Sequence, residues 1–274
     1  MRIVIAIPIG HHAGLRELME MFGQSLLNDT NPPIPGLDES VLISPRRLHF
    51  TLGVMSLAGA ASSADREGLT RQPRTVDDAV RFLQSLKPRV EELLRSPVSG
   101  TAGQGQKVRV ALNSMDVMKL ERGGTAHVLW VGPEGGNSKD IPDEMTNQLR
   151  QVCDLIHSSF RRAGFLVEDR PLKLHCTIVN TVYRKPRPRG GKRIPFTYTD
   201  LLTSPWFSRP ENLVPSHEVT PQRLTQSTSN AGHHSPRGPI SVDFGTWDVD
   251  EVQICEMGSH GPEGEYVCVG KIDL

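Results

Sequence analysis

Arg47-Leu48-His49-Phe50-Thr51-Leu52 and Lys173-Leu174-His175-Cys176-Thr177-Ile178 present the same order of residue types: a base, a leucine, a histidine, one variable position, a threonine and an aliphatic residue. They stand 126 residues apart (175 − 49), one in each half of a 274-residue chain. Alternate side chains of a strand share a face, about 6.5 to 7 Å apart, so His49 projects with Thr51 and His175 with Thr177. Histidine gives or takes a proton near neutral pH, and a threonine hydroxyl donates to a nonbridging phosphate oxygen. Two such pairs converging on a cleft would supply a base, an acid and two phosphate donors without a metal.

Ten histidines test the pattern. His157, in Leu155-Ile156-His157-Ser158-Ser159-Phe160, also has a hydroxyl residue two places on. It falls in a helical stretch, where positions i and i+2 diverge by about 200°, and is set aside. The alternative for His49 and His175 is that each is a buried, hydrogen-bonded strand residue. A matched pair in identical register weighs against that, because titratable pairs gather at functional sites.

The 31 basic and 31 acidic residues cancel, so any polyanion site has to be local. Cys153, Cys176, Cys255 and Cys268 lack metal-knuckle spacing, and Cys176 and Cys268 sit in apolar runs; a reducing compartment is the reading. No stretch approaches the roughly 20 apolar residues of a membrane span, and the apolar start of the chain is too short for a signal-peptide core. The expectation is a soluble protein of the nucleus, the cytoplasm or both, with no membrane partner.

Outward from the repeat, residues 2–9 read as a buried strand, 13–27 as a helix and 46–57 as a central strand bearing His49. Thr75 caps a second helix with acidic residues in its first turn, and Pro88 is expected to kink or divide it. Residues 107–112 and 126–131 read as strands and 140–164 as a helix closed by Gly164. The strand 172–183 bears His175. The basic loop 184–195 is one that no sheet would take, and 204–239 is a Ser/Pro-rich insertion, surface-exposed and partly mobile. Residues 240–257 and 265–272 read as a closing strand pair. A helix, a short connection and a His-x-Thr strand occur twice, which suggests two similar lobes facing each other.

Both motifs resemble the His-x-Thr-apolar signature of the 2H phosphoesterase superfamily. The run from Leu174 to Arg184 is similar to the A-kinase anchor protein 7-like phosphoesterase branch, to which activating signal cointegrator 1 complex subunit 1 belongs. Ile5-Ala6-Ile7-Pro8, the Ser44-Pro45-Arg46-Arg47-Leu48-His49 approach and the closing Gly-Glu-Tyr-Val strand extend the likeness across nearly the whole chain. The resemblance implies an α+β, bilobal fold over residues 1–274, with two pseudo-symmetric sheet-plus-helix lobes around a central cleft. It also implies phosphodiester chemistry on RNA ends or on cyclic or oligonucleotide phosphates. The cointegrator subunit has an RNA-binding KH domain ahead of this domain; here residue 1 already begins the phosphoesterase-like part.

On this reading His49 and His175 are catalytic, with acid and base unassigned, and Thr51 and Thr177 hold the phosphate. Tyr183 and Arg184 flank the substrate, with core or rim packing the plainer role for Tyr183. The loop from Arg184 to Arg193 is either a solvated linker, a phosphate-backbone contact or a nuclear localisation signal. His11 and His12 are exposed loop residues near the cleft mouth, His127 is structural, and His233-His234 lacks the partners a metal site needs. No metal and no cofactor are expected. The other function class open to the sequence is a non-catalytic nucleotide- or RNA-binding subunit of a protein complex.

Overall fold

The computed structural model describes residues 2–57, 74–95, 107–133, 144–167, 171–208 and 238–274. The small-residue stretch 58–73, the connection 97–106 and most of the Ser/Pro-rich insertion lie outside the described residues.

Hydrophobic alternation builds one eight-stranded sheet in which every neighbouring pair is antiparallel. Its first half is made by β1 (Arg2–Pro8), β2 (His49–Ser56), β11 (Glu251–Glu256) and β12 (Cys268–Asp273), and its second by β4 (Ser114–Val117), β6 (Val128–Gly132), β7 (Cys176–Asn180) and β9 (Ile240–Ser241). The order β12-β11-β1-β2-β7-β6-β4-β9 puts the two His-x-Thr segments side by side at the centre. The two expected lobes are thus halves of one sheet, joined where Phe50 pairs with Cys176. Two small ribbons stand apart from it: β3 (Arg109–Ala111) with β10 (Thr246–Asp248), and β5 (Thr125–Ala126) with β8 (Phe196–Thr197).

Ile3, Ile5, Ile7 and Ile9 of the first strand enter the main core, while Val4 and Ala6 face the other way and pack with Cys255. The first face is covered by helices. In α1 (Ala13–Asn28), Leu15, Met19, Phe22 and Leu26 are buried. In α2 (Val76–Arg95) the buried set is Ala79, Leu83, Leu86 and Val90, and in α3 (Glu144–Arg162) it includes Leu149, Val152, Cys153, Ile156 and Phe160. These spacings lay one apolar stripe along each helix, and each Leu, Ile or Phe so buried contributes about 1.5–3 kcal/mol. The second face is left for the site. A fourth, short helix, α4 (Tyr198–Leu202), follows the basic loop.

Thr75 caps α2 as expected, in a reciprocal pair: its hydroxyl accepts from the Asp78 N–H at 3.2 Å and the Asp78 carboxylate accepts from the Thr75 N–H at 2.9 Å. Gly164 closes α3 with φ +73. Pro88 does not divide α2, which runs through it as one helix of 20 residues. Pro88 is on the exposed side, where the carbonyl of Gln84 that it leaves unbonded can be met by water.

Four further elements differ from expectation. The segment 46–48 is a 3₁₀ turn (Pro45–Arg47) followed by Leu48, because Pro45 at its start favours a turn. The second motif's strand begins at Cys176, one residue after His175, and ends in a 3₁₀ turn at Thr181–Tyr183 capped by the Asn180 side chain. The closing stretch 240–257 holds three strands rather than one, and β4, with Asp116 at its centre, is a strand that polar composition concealed.

Candidate active site

The rung between Phe50 and Cys176 fixes the centre of the site. Both side chains are fully buried on the helix-covered face, so the residues on either side of them turn to the open face. One step along the antiparallel register, His49 comes beside Thr177 and Thr51 beside His175. Two imidazoles and two hydroxyls therefore occupy the corners of one square, each histidine next to the other motif's threonine.

A β-bulge follows each threonine. The first strand's register shifts so that Ile5 pairs with Gly53 but Ala6 with Thr51, leaving Leu52 as the extra residue. On the other side Leu129 pairs with Val179 but Trp130 with Thr177, leaving Ile178 extra. Bulges of this kind re-aim the side chains beside them. The displaced carbonyls find donors elsewhere: Leu52 O accepts from His157 Nδ1 at 2.7 Å, and Ile178 O accepts from the Ile43 N–H at 2.9 Å. His157 thus serves the motif from outside.

Each catalytic candidate is latched in the same way. His49 Nδ1 donates to the carbonyl of Arg47 at 2.7 Å and His175 Nδ1 to the carbonyl of Lys173 at 2.7 Å. A carbonyl only accepts, so Nδ1 carries the hydrogen and Nε2 is the atom that exchanges a proton with anything in the cleft. His49 Nε2 already accepts from the Thr51 hydroxyl at 3.1 Å. Burial lowers the pKa of both rings below the usual 6.5, opposed by the backbone bonds; neighbouring charges lower them further, His175 and Arg47 acting on His49 and Lys173 on His175.

The two bases that open the motifs are also used alike. The Arg47 guanidinium lies over the Tyr266 ring at 4.7 Å, and the Lys173 ammonium over the Trp130 ring at 4.0 Å. Arg47 additionally donates to Gly264 O at 2.7 Å and contacts His260 Nδ1 at 2.7 Å, and Arg46 pairs with Glu263. Together these hold the segment 257–267 against the motif.

His49, Thr51, Thr177 and Tyr183 line one cavity of ≈ 140 Å³, with Asn180 and Tyr266. His175 is half-buried and is not among the residues that line this cavity. Tyr266 was not singled out from the sequence; its ring edge meets His49, centroids 5.4 Å apart. Burial and a hydrogen bond with Tyr183 push its hydroxyl up to about 12. The Arg184 guanidinium is bound by the Asp38 carboxylate and the Gly36 carbonyl. A neighbouring cavity of ≈ 430 Å³ shares His49 and Tyr266 and runs past Ala6, Gln253, Glu251 and Cys268 to His11.

Among the described residues, His11, His12 and Asp250 are the group of three that brings potential metal-ligand atoms together, within 4.8 Å of one another. Lys107 stands 3.8 Å from the same carboxylate and competes for it. His127 is bonded through Nδ1 to Thr181 at 2.7 Å, a structural role, and His233-His234 lies outside the described residues. No described helix is long and apolar enough to cross a membrane.

The family model described as the AKAP7 2'5' RNA ligase-like domain matches residues 4–274. Similar solved structures include TT0787 of Thermus thermophilus, 15% identical over 100% of this chain and 98% of that one, with a TM-score of 0.42. They also include LigT of E. coli in its apo form, 13% identical over 100% and 96%, with a TM-score of 0.45. LigT complexed with 3'-AMP is 14% identical over 100% and 97%, with a TM-score of 0.43.

Proposed function

The chain belongs to the AKAP7 2'5' RNA ligase-like domain family, and from that premise we propose that it is a metal-independent phosphodiesterase acting on RNA ends or on cyclic or oligonucleotide phosphodiesters. One observation carries the reading: both histidines are fixed by the same Nδ1-to-carbonyl bond, two residues back. Each Nε2 is thereby committed to proton exchange in the cleft. A buried histidine kept only for packing has no need of a second ring held in the mirrored position.

In the proposed reaction the unprotonated Nε2 of one histidine takes the proton of an attacking hydroxyl, from water or a ribose, as its oxygen bonds to phosphorus. The protonated Nε2 of the other gives its proton to the leaving oxygen as the second phosphorus–oxygen bond breaks. The two rings end with their protonation states exchanged. Thr51 and Thr177 donate to the nonbridging oxygens, and Thr51 releases His49 Nε2 when it turns to the phosphate. Tyr183 offers a ring face to a base, while Arg184 holds the loop behind it.

The test is turnover of 2',3'-cyclic-phosphate and 3'-end RNA substrates in EDTA by the wild type, His49→Ala and His175→Ala. Loss of activity in both variants is expected, and unchanged activity in both overturns the proposal. Ligand-dependent thermal stabilisation without turnover by the wild type would favour the non-catalytic binding subunit instead.

A further inference from the structure

We propose that the basic loop 184–195 is a phosphate-backbone track for single-stranded RNA leaving the cleft past Tyr183, an inference that rests on the RNA phosphodiesterase reading. Lys185, Arg187, Arg189, Lys192 and Arg193 are all exposed, and none is within ion-pair distance of a carboxylate among the described residues. In a chain whose charges cancel only when taken as a whole, five cations on one short loop make a strong local field.

The loop is also anchored. Arg184 donates to Ile194 O at 3.3 Å, tying its two ends together, and the same guanidinium reaches Asp38 and Gly36 O. The Lys185 N–H donates to Ser40 Oγ at 2.8 Å. Behind the loop's other end, Gly36 lies so close to the Pro195 carbonyl that no Cβ would fit. Pro186 and Pro188 stiffen the span between. A loop already ordered in this way spends less entropy on holding a ligand, which separates it from a solvated linker.

Its position favours RNA. Tyr183, the residue before the loop, is 42% exposed and lines the His49–Thr51–Thr177 cavity. At about 3.3–3.6 Å per extended residue, Arg187 lies within about 14 Å of Tyr183. A strand whose scissile phosphate sits on the square and whose next base stacks on Tyr183 meets the loop's cations with its following phosphates. A ring face continued by a basic track is how sequence-tolerant single-strand sites are built.

The experiment compares a dinucleotide with a ten-nucleotide single-stranded RNA, each by equilibrium anisotropy across a salt series and by turnover. It uses the wild type, a variant with all five cations changed to Gln, and a variant with Arg187→Lys, Arg189→Lys and Arg193→Lys. The wild type is expected to bind the longer RNA more tightly, and its salt slope should fall by about 0.7 for each phosphate that the Gln variant no longer neutralises. Dinucleotide binding and turnover should be unchanged, and the Lys variant should keep the length advantage. Retention of that advantage and of the salt slope by the Gln variant overturns the proposal and leaves the loop to another role, such as a localisation signal. Dinucleotide turnover with no length effect in the wild type sinks the track while sparing the catalytic reading. Length-dependent binding without any turnover sinks the catalytic reading while sparing the track.

Discussion

Phe50 and Cys176 face each other across the rung that joins the halves of the sheet, both fully buried. The spacing between His49 and His175 is therefore set by a ladder rather than by a hinge, with a packed core behind it. Effects on catalysis can then be sought in whatever seats the two segments on that ladder.

Two glycines do this seating. A Cβ on Gly10 would lie 2.5 Å from Pro45 O and 2.6 Å from Arg46 O, and one on Gly132 would lie 2.8 Å from Leu174 O. Each contact is with backbone just before a histidine proposed to be catalytic. Gly10→Ala and Gly132→Ala are expected to lose about 1–3 kcal/mol of stability in urea melts. Because a displacement of about 1 Å can cost a hundredfold in rate, kcat should fall by more than tenfold. Full activity in both would show that the segments tolerate the shift.

The histidines should leave a mark on stability against pH. Their folded pKa values lie below the usual 6.5, so the unfolded chain binds protons that the native one refuses. Stability is then fully present above 6.5 and is lost as pH falls from 6.5 towards the folded values. His49→Gln and His175→Gln should each flatten that decline in thermal melts. An unchanged slope in both variants would contradict the lowered pKa values.

The same shifts place the bell of kcat/KM, which reports the free enzyme's acid and base. Its centre should lie on the acid side of 6.5, since both rings are displaced in that direction. A bell centred above 6.5 would assign the proton transfers to other groups.

His157 should behave as a supporting residue. His157→Ala removes the donor to Leu52 O and is expected to cost about 1–3 kcal/mol for the carbonyl left without its partner. The pH profile of the surviving activity should stay where it was. A profile that moves would mean that His157 takes part in proton transfer.

Cys268 should be the reactive thiol. It is exposed, and Cys255, opposite it across β11 and β12, lowers its pKa below the ordinary 9.0 against the effect of burial. Alkylation by iodoacetamide should have its midpoint below 9.0 and move towards it in Cys255→Ala. A midpoint indifferent to Cys255 would refute the coupling.

Much of the centre was legible because strand alternation is local: two side chains two residues apart share a face whatever surrounds them. Helix stripes such as Leu83, Leu86 and Val90 were legible for the same reason. The bulges at Leu52 and Ile178 were hidden, since they depend on register with β1 and β6. The anchoring of the loop by Arg184 was hidden, because Asp38 lies 146 positions away and only folding brings it near. Tyr266 was concealed likewise: its partners Arg47 and His49 come from the other end of the chain.

The paired bulges, latches and ring-stacked bases repeat so closely that the square of histidines and threonines has no front or back. A nucleotide chain does. Which end of it points which way is decided by unequal scenery: the hollow of ≈ 430 Å³ on the flank of His49 and the cationic loop that follows the strand of His175. Exchange those two surroundings and the same four side chains would run the same chemistry on a strand threaded in reverse, with donor and acceptor trading places.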